Sequence, residues 1–378
     1  SGFPVAGQTS SAGSSGVGAA TTANLGNLPS AQSTDDENAE RETELGTIDT
    51  EVGVGVFRKG GTDYTDLDEI GTKDKNKKVK GSEFSKKFGG QHKPPTGSQK
   101  ETFKYSKVLE VNGIKVRRFQ FPDDITLGRF EPEKVNKQDL VQEAHGIVDL
   151  NPRYDYSFTP YRCVEDYPQY MKRFRSGDIN SVILIEDLCR DKVLDAVSYI
   201  PDVTSLRIVG NDGFTSSSVA NSLRQFKSLR KFYASEIGVS GATLAEANCW
   251  QKIESVWLTK VYGLQPLLKV LKNSHELKGL ALGKSNLNSR DIEIISTISS
   301  IRGLDLSQNK ISVNDLRTLS KMPHLEYLNL QMCGLDHKAL LELKRFSHLR
   351  EVDAFTPGVN QKAESDRLSQ ELPNVLVH

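Results

Sequence analysis

The second half of the chain repeats one pattern of apolar residues at a nearly constant interval. In each copy, apolar side chains stand at the first, fourth and sixth positions, and most of the residues between them are polar or small. Successive copies start 24 residues apart, except for one interval of 26, and the eight starts are Ile179, Val203, Leu229, Ile253, Leu277, Ile301, Leu325 and Leu349. One unit of this length is too small to bury a core alone, so the period predicts a stack of similar units.

Each copy divides into two halves with different periodicities. The apolar first, fourth and sixth positions predict a short strand with one buried face. The second half has apolar residues one helical turn apart, as at Ile292, Ile295 and Ile298. Residue types that cap helix N-termini occupy the twelfth position in five copies, namely Ser240, Asn288, Ser312, Asp336 and Asn360. Leu264 is the exception, and Pro266 just after it suits a first helical turn.

The sixth copy carries a recognisable motif. It reads LDLSQNKI at 304–311 with Ile301 in front, which follows the pattern L-x-x-L-x-L-x-x-N-x-L. Residues 179–378 therefore resemble a leucine-rich-repeat domain. The resemblance implies an α/β solenoid of about eight 24-residue strand–helix repeats with a curved parallel sheet. Residues 366–378 predict a final helix and a partial ninth strand that cap it.

Residues 101–178, which precede the repeats, have a different sequence pattern. Two strand-like segments, 105–111 and 114–121, flank Asn112-Gly113, which favours a two-residue hairpin because both turn residues need positive φ. Residues 125–130 and 145–150 predict two further strands, and 161–178 a helix or turn leading into the repeats. This small β module resembles the short β region before the repeats in some bacterial leucine-rich-repeat proteins.

Residues 1–100 are low in complexity and strongly patterned in charge. The tract 1–34 has no charged residue, 35–71 carries 3 basic and 12 acidic residues, and 72–100 carries 9 basic and 2 acidic ones. Such segments bury too little apolar surface to offset their chain entropy, so a disordered tether is predicted. The basic stretch is interpreted as a solvated linker, with an arm for anionic surfaces as the alternative.

Composition and motifs exclude several classes of function. The chain has 49 Lys+Arg and 49 Asp+Glu, which removes the simplest argument for nucleic-acid binding. It contains no P-loop, dinucleotide-binding glycine motif or HExxH helix, and its histidines lack metal-ligand spacing. No apolar run approaches the ~20 residues of a membrane span. We therefore predict no enzyme activity, no cofactor and no metal. At least three of the four cysteines are interpreted as buried thiols, and a Cys163–Cys189 disulfide stays open.

The outward strand positions hold the candidate binding residues. In this family they line the concave sheet. The resulting concave-face candidates are Arg207, Lys231, Tyr233, Trp257, Asp305, Tyr327, Asn329 and Asp353. Trp, Tyr and Arg are enriched at binding hot spots, so solvent-facing aromatic residues here indicate an interaction surface. The alternative is that Tyr233 and Trp257 merely pack on each other and shield the sheet.

These observations predict a non-catalytic module that binds a protein partner through its concave sheet, at the bacterial cell envelope. The uncharged tract at 1–34 is typical of a tether between an envelope anchor and a folded domain. A glycan- or wall-polymer-binding surface protein is the alternative function. A cytoplasmic location and the oligomeric state stay open.

Overall fold

The structure is a computed structural model, and it describes residues 104–133, 141–185, 189–210, 213–354 and 361–378. The predicted tether at 1–100, with its basic stretch, lies outside the described residues. The predicted helix cap Asn360 also lies outside them.

Two sheets contain all the described strands. The smaller one consists of β1 (Lys107–Val111), β2 (Ile114–Gln120) and β5 (Ile147–Leu150), paired antiparallel in that order. Before the repeats, the larger sheet contains β3 (Gly128–Pro132), β4 (Gln142–Glu143) and β6 (Tyr156–Pro160). Its repeat strands are β7 (Ser181–Ile185), β8 (Ser205–Val209), β9 (Lys231–Ser235), β10 (Ser255–Thr259), β11 (Gly279–Ala281), β12 (Gly303–Asp305), β13 (Tyr327–Asn329) and β14 (Glu351–Asp353). The closing strand β15 (Leu376–Val377) follows them. The described part of this sheet runs β15–β14–β13–β12–β11–β10–β9–β8–β7–β6–β3–β4.

The repeat strands confirm the predicted period. Each of the eight begins at the third position of its copy and pairs in parallel with the next, third position opposite third position. All 24 side chains at the first, fourth and sixth positions are buried. The pattern that identified the copies is therefore the pattern of the core.

A helical segment follows each repeat strand. The α-helices are α1 (Asp191–Val197), α2 (Ser216–Leu223), α3 (Gly241–Ala245), α4 (Gln265–Leu271), α5 (Ser289–Ser296), α6 (Val313–Leu319), α7 (His337–Leu340) and α8 (Gln361–Glu371). Short 3-10 helices extend two of these segments, at Trp250–Lys252 and Leu341–Arg345.

The predicted helix caps are confirmed wherever the structure describes them. The side chains of Ser240, Asn288, Ser312 and Asp336 all accept backbone N–H bonds at the starts of their helices. Ser312 forms a reciprocal capping box, since the Asp315 carboxylate accepts the Ser312 N–H at 2.9 Å. Leu264 caps α4 without a side-chain bond, and proline stands in the first turn as expected.

The region before the repeats begins with the predicted hairpin. Val111 pairs with Ile114, and Asn112 and Gly113 have φ of 52° and 77°, as a two-residue turn with positive φ at both positions requires. The predicted third strand starts later than expected, at Gly128. There the backbone lies so close to β6 that an added Cβ would stand 2.5 Å from the Thr159 carbonyl oxygen.

The larger sheet continues from this region into the repeats without a break. β3 pairs antiparallel with β6, and β6 pairs parallel with β7. Beneath these strands lies a cluster of buried phenylalanine rings, with centroids 5.0–6.4 Å apart, made by Phe119, Phe121, Phe130, Phe158 and Phe174. The cluster is part of the same core as the repeats, so it closes the first end of the solenoid. The division of the chain at residue 178 stays a prediction.

At the other end, α8 and β15 confirm the predicted closing helix and partial ninth strand. β15 pairs in parallel with β14, with Glu351 opposite Leu376. Leu368 and Leu372 of the last segment are buried in the core. Among the helices of the described ranges, none has the length and apolar content to cross a membrane.

Candidate functional site

The in-register strands place the candidate residues in two straight rows. Because side chains alternate along a strand, the third and fifth positions of each copy point away from the helices, while the fourth and sixth point into the core. The third-position row includes the candidates Lys231 and Tyr327, and the fifth-position row includes the other candidates. We call this side of the sheet the strand face.

A basic and aromatic group occupies the strand face at β8 to β10. The Arg207 guanidinium lies over the Tyr233 ring, 5.1 Å from its centroid, and the Tyr233 and Trp257 rings meet edge to face at 5.1 Å. Lys231 beside them is exposed, and Arg207 and Tyr233 are half-buried. Burial raises the pKa of the Tyr233 hydroxyl, an effect that the positive charge of Arg207 partly opposes. Tyr233 is therefore a neutral hydrogen-bonding group held between an arginine and an indole.

The expectation that Trp257 faces solvent is wrong. Its side chain is 9% exposed. The parallel register sets it directly beside Tyr233, so its ring packs along the row instead of standing free. The predicted contact between the two rings is therefore present, and Trp257 contributes little accessible surface.

A hydrogen-bonded polar group occupies the strand face at β12 to β14. Asp305 accepts the Asn329 Nδ2–H at 3.2 Å and the Ser307 N–H at 2.8 Å. Tyr327 donates its hydroxyl to the Asp353 carboxylate at 2.5 Å. Each side chain therefore has a partner in its own or a neighbouring repeat.

This polar group is also less accessible than expected. Asp305, Tyr327 and Asn329 are only 3%, 6% and 7% exposed, and Asp353 is half-buried. Strand spacing is about 4.8 Å, so adjacent long side chains in a row cover one another. Between the two groups stand the small residues Gly279, Ala281, Gly283 and Gly303, which are buried as well.

Burial makes Asp305 a pH-sensitive element of the fold. Burial, together with the negative charge of Asp353, raises the pKa of the Asp305 carboxyl from 3.8 to about 6, although its hydrogen bonds oppose the rise. Between these values the folded protein holds more protons than the unfolded chain. The Asp305 contribution to stability is therefore greatest below pH 3.8 and is lost as pH rises through about 6.

We expect Asp305→Asn to remove this part of the pH dependence. Between pH 4 and pH 7 the wild type should lose up to about 3 kcal/mol more unfolding free energy than the variant. Urea unfolding of both proteins at four pH values measures the difference. Parallel stability profiles would contradict the assignment.

The structure also places at this site two residues that the candidate set omits, Glu351 and His378. Glu351 Oε1 lies 3.1 Å from His378 Nε2, and Asp353 contributes to the same cluster. His378 directly follows β15, where it takes the fifth position of the partial ninth strand. Extending the fifth-position row into that strand would have found it.

Within the described ranges, the four cysteines are the other candidates for reactive side chains, and they lie apart from this site. Burial raises the pKa values of Cys163, Cys189, Cys249 and Cys333 to about 12, so these thiols stay protonated and are poor nucleophiles. All four cysteines are described, and none of them forms a disulfide. Cys163 donates to the Thr126 carbonyl and Cys189 to the Pro160 carbonyl, which gives each thiol a separate partner.

Comparison with known proteins supports the repeat assignment. Residues 275–335 match the leucine rich repeat family. Among curated proteins, none matches the chain.

Similar solved structures include an internalin from Listeria monocytogenes, with 16% identity, a TM-score of 0.34, and coverage of 47% of this chain and 55% of that one. Human 5T4 is 17% identical with a TM-score of 0.35, covering 53% of this chain and 77% of that one. A chain of the yeast Rad7 and Elc1 complex is 16% identical with a TM-score of 0.38, covering 56% of this chain and 74% of that one. This chain thus spans about half the length of the internalin. The family match, the period and the in-register parallel strands together identify the repeat region of the described chain as a leucine-rich-repeat solenoid.

Proposed function

We propose that this chain is a non-catalytic protein-binding module that engages its partner through the strand face. Leucine-rich-repeat solenoids in general are scaffolds for protein–protein interaction, since stacked repeats create an extended surface. The observation that carries the proposal is the fifth-position row. There, arginine, tyrosine, asparagine and aspartate occupy positions that the core does not need, in strands that are in register.

The accessible part of the strand face, at β8 and β9, is the proposed centre of the interface. Lys231 is exposed, and Arg207 and Tyr233 are half-buried against each other. A tyrosine fixed by neighbours on both sides loses little conformational entropy on binding. The cationic groups around it favour a partner with an acidic surface.

Glycan binding has less support from this geometry. A sugar ring stacks on an open aromatic face, whereas Trp257 is nearly buried and meets Tyr233 edge to face. The bacterial cell envelope stays the proposed location, and it rests on the resemblance of the sequence to bacterial leucine-rich-repeat proteins.

The proposal is tested by partner capture with the full chain as bait, in envelope and whole-cell extracts of the source organism. The face variant is Lys231→Glu/Tyr233→Ala. We expect at least a tenfold fall in the recovery of a specific protein, because tyrosine and charged anchors near an interface centre each carry on the order of 2 kcal/mol.

A matched control makes the same residue changes away from the strand face. Lys227→Glu/Tyr199→Ala alters two exposed residues in the helix-to-strand loops of adjacent repeats. This control should capture the partner as the wild type does. Equal capture by all three proteins would refute the interface, and competition by soluble wall polymer would favour the glycan alternative.

A further inference from the structure

Three potential metal ligands converge at the last strands of the strand face. Glu351 and Asp353 stand at the third and fifth positions of β14, and His378 lies next to them after β15. A carboxylate oxygen from each acid and a ring nitrogen of His378 all lie within 4.8 Å of one another. Glu351 Oε1 and His378 Nε2 are 3.1 Å apart. Sequence spacing predicts no metal here because the histidine is far from the two acids along the chain.

The backbone holds these ligands in place before any ion arrives. The His378 N–H donates to the Val352 carbonyl at 3.0 Å, and the Ala354 N–H donates to the His378 carbonyl at 3.2 Å. Both ligand-bearing segments are thus parts of one hydrogen-bonded sheet. Glu351 is only 5% exposed, which further restricts its motion.

Negative charge is concentrated at this point. Glu351 and Asp353 stand two residues apart on β14, and Asp305 lies two strands away in the same fifth-position row as Asp353. Asp305 and Glu351 are only 3% and 5% exposed, so three carboxylates lie in a part of the face with little access to water. A divalent cation would neutralise two of them, and buried charges are stable when they are paired or bind a metal.

We propose that Glu351, Asp353 and His378 form a binding site for a divalent transition metal, with Zn²⁺ as the best-fitting ion. Imidazole nitrogen together with carboxylate oxygen is a donor set that zinc accepts, at bond lengths of about 2.0–2.2 Å. Ligand atoms in such a tetrahedron stand roughly 3.3–3.6 Å apart, close to the distance between Glu351 and His378. The fourth position is left for water or for a group from a partner.

Tyr327 has a supporting position in this site. Its hydroxyl donates to Asp353 Oδ2, and it stands opposite Glu351 in the strand register. A hydrogen bond to a ligating carboxylate fixes the orientation of that ligand. The metal site does not depend on the proposed protein interface, since the ion alone occupies it.

The test is a calorimetric titration of Zn²⁺ into the full chain, without a polyhistidine tag and after treatment with chelator. The wild type should bind zinc, and the variants His378→Gln and Asp353→Asn should each lose at least tenfold in affinity. Tyr327→Phe should bind zinc with an affinity about 10-fold to 100-fold lower, as expected for a residue that orients a ligand.

The matched control is His348→Gln, which removes an exposed histidine outside the cluster. It should bind zinc as the wild type does, and this distinguishes the site from general histidine binding. Circular dichroism without zinc verifies that each variant is folded, and if His378→Gln is not, Asp353→Asn decides the question. The proposal is overturned if the wild type takes up no zinc, or if a folded ligand variant binds like the wild type.

Discussion

Trp250→Ala is expected to lower the unfolding free energy by about 3–5 kcal/mol, the usual cost of removing a buried large aromatic side chain. Trp250 is 1% exposed and meets the Phe232 ring edge to face, with centroids 5.5 Å apart. Its Nε1–H donates to the Leu244 carbonyl at 2.9 Å, so the variant also loses a buried hydrogen bond. The indole fills the space between a strand and a helical segment, and alanine leaves a cavity there.

Urea unfolding followed by circular dichroism measures this loss. Tyr262→Ala is the matched control, because it removes an aromatic ring that is 55% exposed in the following repeat. It should change the unfolding free energy by no more than about 0.5 kcal/mol. If both variants lower the unfolding free energy equally, the Trp250 side chain does not stabilise the core as the structure indicates.

Asn309→Ala is expected to lower the unfolding free energy by about 3–5 kcal/mol, because the loss of each buried hydrogen-bond partner costs about 1–3 kcal/mol. Asn309 is 4% exposed. Its Oδ1 accepts the N–H groups of Ser285 and Leu287 at 3.0 and 3.2 Å, and its Nδ2 donates to the Leu282 and Leu306 carbonyls at 2.8 and 2.9 Å. Alanine leaves two buried N–H donors unpaired where two repeats meet.

The matched control for this change is Asn314→Ala, which removes an exposed asparagine from the first turn of α6 in the same repeat. Its effect should stay within about 0.5 kcal/mol. Urea unfolding compares the two variants. Asn309→Ala should lower the unfolding free energy far more than Asn314→Ala does. A small loss for Asn309→Ala would mean that water replaces these hydrogen bonds.

Local sequence determined the elements of this protein. The apolar first, fourth and sixth positions predict the repeat strands, and each observed strand of the eight copies begins at the third position of its copy. Ser240, Asn288, Ser312 and Asp336 mark their helix starts correctly. The hairpin at Asn112-Gly113 follows from turn chemistry alone. These features depend on interactions within a few residues, so the order of residues is enough to predict them.

The properties of the strand face depend on contacts between repeats. Trp257 and Tyr327 have the residue types of exposed anchors, yet lateral packing in the parallel sheet buries both. The pKa of Asp305 reaches about 6 because its neighbours exclude water, and those neighbours lie a full repeat or more away in the chain.

Likewise, only the folded sheet brings His378 to Glu351. The chain alone determined which residues point outward, because side chains alternate along a strand. Which of them remain accessible, and which meet as ligands, was decided by the tertiary structure, because burial and convergence arise where residues distant in sequence lie in adjacent strands.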